Sequence, residues 1–122
     1  MLSVKQINYL KRRLEIFNNT ETLYTIDFKK SFLAPYFYGK EIDDYVNWMY
    51  KEKLVLPGCY EIEEDFHANY TNDEWYKKLS QKQIIQCLGI IIRQDRFVDG
   101  LIGKHIKDGT FGKLISQLSG LS

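Results

Sequence analysis

Apolar residues are densest between Ile84 and Ile92, which reads Ile-Ile-Gln-Cys-Leu-Gly-Ile-Ile-Ile. In so short a run, periodicity alone does not separate a buried strand from a buried helix. The flanks decide for helix. Ser80-Gln-Lys-Gln83 has capping-box form: a hydroxyl accepts a free backbone N–H, and the Gln three residues on reaches back. The pattern then runs through Arg93 and Gln94, beyond the length of a typical strand. Apolar residues face nearly every direction, which predicts a helix at about 81–95 with other helices around it. Gly89 in its middle costs roughly 1 kcal/mol relative to Ala, a cost that close approach of a neighbour offsets.

Shorter stripes flank this run. Val4, Ile7, Leu10, Leu14 and Phe17 predict an amphipathic helix from Ser3 to about Phe17, with Ser3 and Gln6 as its capping pair. Ile42, Tyr45, Val46, Met49 and Tyr50 predict a second over Lys40–Lys53, with acids in the first turn and lysines in the last. Thr71-Asn-Asp-Glu74 resembles another capping box, opening a short helix through Trp75 to Leu79. Val98, Leu101, Ile102, His105 and Ile106 share one stripe, which Gly109 closes as a left-handed cap. Thr110 is the expected cap of a last helix with the stripe Phe111, Leu114, Ile115 and Leu118. Between Glu21 and Gly39 no period dominates. Its aromatic residues around Pro35 are expected to pack an irregular segment over the core, the alternative being an exposed patch that binds a partner or stacks on bases.

The resulting fold is all-α: one compact domain, residues 1–122, of five or six helices around the central one. One short β pair, Leu23–Ile26 with Leu54–Leu56, is a minor alternative.

Arg93-x-x-Arg96-Phe97-x-x-Gly100-Leu101, then Gly109, Leu114 and Leu118, resembles the C-terminal signature of a family of small uncharacterised bacterial proteins, domain of unknown function 6508. The resemblance covers roughly the last forty residues, with a looser echo from Tyr45 to Pro57. Members carry an Asp-Trp element where this chain has Cys59-Tyr60-Glu61-Ile62. The resemblance implies a shared helical fold and brings no activity, cofactor or catalytic residue with it.

Composition narrows the classes. A chain of 122 residues, 44% hydrophobic and 27% charged, buries a core without staples. A net charge of +1 gives no general attraction to nucleic acid or anionic membrane. No stretch approaches the roughly 20 apolar residues of a membrane span, and Met-Leu-Ser-Val-Lys-Gln lacks a signal-peptide core. A cytoplasmic location is therefore expected. Cys59 and Cys87 then read as free thiols, Cys87 as inert core.

Candidate chemistry is sparse. Glu64-Asp-Phe-His67 has the Glu-x-x-His spacing of dinuclear metal bundles, but such sites need two copies and two further Glu. Ile102 stands three before His105, so the second copy is absent, and Glu64 and His67 remain weak metal candidates read first as a surface pair. His105 on its apolar stripe reads as a partly buried, hydrogen-bonded side chain, since no nucleophile–base–orienter set accompanies it. Arg93 and Arg96 close the central helix at i and i+3, with Asp95 and Asp99 in reach for an ion-pair network. The alternative is an anion- or partner-binding corner of Arg93, Arg96, Lys104 and His105.

No catalytic residue or cofactor is expected. The expected function is a protein–protein interaction or regulatory module with a protein partner, homo-oligomerisation remaining open. A weak nucleic-acid binder is the alternative: the two short helices joined at Gly109 could mimic a helix-turn-helix. An enzyme or metal protein at Glu64 and His67 is the third.

Overall fold

A computed structural model describes residues 2–120. It is mostly helical, with seven α-helices and one two-stranded antiparallel sheet among the described residues. The order is α1 (Val4–Asn18), β1 (Tyr24–Ile26), β2 (Tyr36–Tyr38), α2 (Lys40–Lys51), a 3-10 helix (Pro57–Ile62), α3 (Glu63–Asn69), α4 (Asp73–Tyr76), α5 (Gln81–Gln94), α6 (Leu101–Lys107) and α7 (Thr110–Gly120). The helix beyond the expected six is α3, a piece of only seven residues.

The central helix is where its pattern puts it. Every residue of α5 from Ile84 to Ile92 is buried, Gln86 included. Ser80 and Gln83 form both halves of the expected capping box. The 3-10 helix, α7, α6 and α3 pack around α5. Gln86 satisfies its buried amide on the 3-10 helix, donating to the Gly58 carbonyl at 3.2 Å and to Glu61 Oε2 at 3.1 Å. Gly89 is the point of closest approach: a Cβ there would lie 3.3 Å from Cys59 Cβ and 3.7 Å from the Leu54 carbonyl oxygen. A helix-weakening residue thus lets α5 meet the 3-10 helix almost backbone to backbone.

α1 lies on α7 and α2. Its capping box at Ser3 and Gln6 is complete. Phe17, Tyr45 and Phe111 meet edge to face where α1, α2 and α7 converge, with centroids 5.2–5.8 Å apart. Tyr9 stacks flat on Trp48 at 3.9 Å.

Three local expectations are corrected. The partner of β1 is β2, in the register Tyr24↔Tyr38, Thr25↔Phe37 and Ile26↔Tyr36, and not Leu54–Leu56. Leu54 and Val55 are instead buried beside Gly89. Asn72, not Thr71, caps α4 by accepting from the Glu74 N–H. Asp108, not Thr110, accepts the free N–H at the start of α7, while Thr110 is itself buried. Gly109 does adopt the left-handed conformation, φ +90°.

Candidate functional site

The β1–β2 hairpin is latched onto the corner between α5 and α6. Asp95, the C-cap of α5, accepts from Tyr38 Oη at 2.5 Å and from the Ile102 N–H at 3.1 Å. Tyr38 Oη in turn accepts from the Gly103 N–H at 3.3 Å. Asp99 accepts from the Tyr36 N–H at 2.9 Å. Burial, with the Asp95 hydrogen bond adding to it, pushes the Tyr38 phenol well above its ordinary range, so it stays a donor. Two glycines shape the seat. Gly100 has φ +80°, and a Cβ there would come within 2.6 Å of the Tyr36 ring. A Cβ on Gly103 would come within 2.7 Å of the Tyr24 ring.

Beyond this latch the hairpin carries its apolar side chains outward. Phe28 is 62% exposed, Phe32 80% and Leu33 89%. The tip is ordered by its own groups: Asp27 Oδ1 accepts from the Lys29 and Lys30 N–H groups, and Ser31 Oγ accepts from the Ala34 N–H. Lys29 and Lys30 are exposed beside it, with Lys30 Nζ 5.4 Å from the Phe37 ring centroid. The apolar side chains expected to cover the core thus divide. Tyr24 and Tyr38 pack inward, while Phe28, Phe32 and Leu33 do not.

Arg93 and Arg96 form no ion pair with Asp95, Asp99 or any other described residue, because both carboxylates face the hairpin. The expected Arg–carboxylate network is absent. The two arginines instead line a cleft of about 320 Å³ with Tyr50, Tyr60 and Phe97. Arg93 stands 5.7 Å from the Tyr60 ring centroid, and its buried Nε has no hydrogen-bond partner among the described residues. Lys104 lies in a separate cleft with Tyr24, Tyr36, Asp99 and Lys107.

His105 is buried, its ring edge-on to Phe66 and Tyr70. Its Nδ1 lies 3.3 Å from both Thr110 Oγ1 and Asp108 Oδ2. Burial lowers its pKa, Asp108 opposes this and Lys104 adds to it. Arg93, Arg96, Lys104 and His105 are therefore not gathered into one pocket.

Glu64 and His67 are exposed on α3. His67 Nε2 lies 3.0 Å from Gln94 Oε1, and Gln94 donates to Glu63 Oε1 at 2.8 Å, so the imidazole belongs to a surface chain of polar contacts. No group of three His, Cys, Asp or Glu able to hold a metal occurs among the described residues. Cys59 and Cys87 are both free and buried, and burial pushes the Cys87 thiol up to about 12. No helix among the described residues is long and apolar enough to cross a membrane.

Sequence reasoning missed the latch. Asp95 and Asp99 drew attention as partners for the arginines beside them, while their true partners lie some sixty residues away. The available signal was Gly100 and Gly103 opposite a tyrosine-rich stretch.

No curated protein and no solved structure matches the chain. A family model described as a family of unknown function, DUF6508, matches residues 4–122, and so takes in the Cys59–Ile62 segment as well as the C-terminal third. The chain therefore belongs to this family of unknown function, over nearly its whole length.

Proposed function

We propose that the protein is a protein–protein interaction module whose contact element is the β1–β2 hairpin. One observation carries this: a rigidly latched hairpin holds Phe28, Phe32 and Leu33 in solvent, where they add nothing to the core. Together these side chains offer on the order of 300–400 Å² of apolar surface, the scale of an interaction patch. Lys29 and Lys30 set the partner's chemistry: an apolar groove with an acidic rim. The base of the hairpin is fixed by Asp95, Asp99, Gly100 and Gly103, so little ordering entropy remains to be lost on binding.

The test is affinity capture from the native host with the full chain and with a Phe32→Asp/Leu33→Asp variant. The expected result is a stoichiometric partner retained by the wild type and lost by the variant at equal melting temperature. Identical captures from both would overturn the reading, as would retention of the two proteins by anionic vesicles alone. Sedimentation of the purified chain over a concentration series identifies the case in which the partner is a second copy.

A further inference from the structure

We infer that the cleft of Tyr50, Tyr60, Arg93, Arg96 and Phe97 is a binding site for a phosphomonoester dianion carried on an aromatic ring. Its lining holds two guanidinium groups, two phenols and one phenyl ring, and no carboxylate. The acids that could neutralise the arginines are engaged elsewhere. Asp95 and Asp99 hold the hairpin, Glu63 accepts from Gln94 and Glu61 from Gln86. Arg93 is half-buried, steadied over the Tyr60 ring, with a buried Nε that finds no partner among the described residues. Arg93 and Arg96 both line the cleft, and an oxyanion is the group that a guanidinium edge matches best. Two fixed positive charges with no counter-charge in the lining suit a dianion better than a monocarboxylate.

The remaining walls speak for an aromatic carrier. Tyr50 and Tyr60 are 42% and 44% exposed and Phe97 is 83% exposed, so three ring faces border the cleft and meet solvent. The volume of about 320 Å³ exceeds what a bare phosphate fills. Past Tyr50 and Arg96 the cleft adjoins a second one lined by Asp43 and Asp95, which repels further negative charge and favours donor groups there. Arg93 also complements the carbonyl end of α5, and that role needs no ligand. A binding measurement separates the two.

The experiment follows the Arg93 Nε–H resonance of the full chain by NMR at fixed ionic strength. Phenyl phosphate, inorganic phosphate and benzoate are titrated in parallel. The expected result is a saturable shift with phenyl phosphate, and binding weaker by roughly tenfold or more for the other two. Arg96→Gln should weaken phenyl phosphate by at least about tenfold and leave the melting temperature nearly unchanged, since Arg96 is exposed and its side chain makes no ion pair among the described residues. A phosphotyrosyl peptide distinguishes sources: tighter binding than phenyl phosphate assigns the site to a protein ligand, equal binding to a small molecule. No saturable shift up to about 10 mM phenyl phosphate, or equal affinity in Arg96→Gln, overturns the inference.

Discussion

At the scale of single residues, Asp95 joins distant parts of the chain through one side chain. Its Oδ1 receives both the Tyr38 hydroxyl and the Ile102 N–H, so one side chain ties β2 to the start of α6. Hydrogen bonds to a charged acceptor contribute about 1.5–3 kcal/mol each when partly shielded, so Asp95→Ala should cost about 2–3 kcal/mol in urea unfolding. Amide exchange should rise in Tyr36–Tyr38 and stay unchanged in α1. His105 acts on stability through its charge. Burial lowers its pKa below the ordinary 6.5. Above that value folded and unfolded chains both hold it neutral, and it makes no pH-dependent contribution. As pH falls below 6.5 the unfolded chain takes up the proton first, so stability declines. The fall in unfolding free energy between neutral and mildly acidic pH should therefore be shallower in His105→Gln than in wild type. Equal slopes would show that His105 does not carry the dependence.

At the scale of elements, α5 was legible because its determinants are local. A capping box lies within four residues, and an unbroken apolar run reports burial on all sides whatever the neighbours are. Of the hairpin only β1 was legible, as half of the alternative β pair; its partner was not, for the opposite reason. β1 and β2 have three residues each, too few for alternation to register, and what stabilises them sits on α5 and α6. Arg93 and Arg96 were misread for the same cause: carboxylates adjacent in sequence proved to serve partners distant in it. The glycines of α6 encode this tertiary fit. Gly100 combines φ +80° with a Tyr36 ring atom 2.6 Å from where a Cβ would stand. Gly100→Ala therefore meets both a left-handed backbone cost of roughly 1–2 kcal/mol and an overpacking cost of similar size. A loss of about 2–4 kcal/mol is expected on denaturation. Gly109→Ala, with a similar φ but nothing within 4 Å among the described residues, should lose only the first part. Equal losses at the two positions would mean that the Tyr36 ring yields freely.

At the scale of the whole molecule, helical packing and the hairpin divide the work. The core is closed by α5 with its surrounding helices and the 3-10 segment, and by the Phe17–Tyr45–Phe111 contact. The hairpin tip lies outside this closure: Phe28 and Phe32 face each other at 6.4 Å between centroids, and neither joins the buried cluster. If the tip serves recognition rather than folding, charge should be tolerated there at little cost. Substitutions at exposed sites away from caps and ion pairs usually stay within about 0.5 kcal/mol. The Phe32→Asp/Leu33→Asp variant should thus unfold within about 1 kcal/mol of wild type and be more soluble, because an exposed apolar patch is removed. Leu88→Ala, in the fully closed core, should lose about 2–5 kcal/mol in the same assay. A tip variant that falls as far as the core variant would show that Phe32 and Leu33 are packed in solution, and the interaction surface proposed for them would not exist.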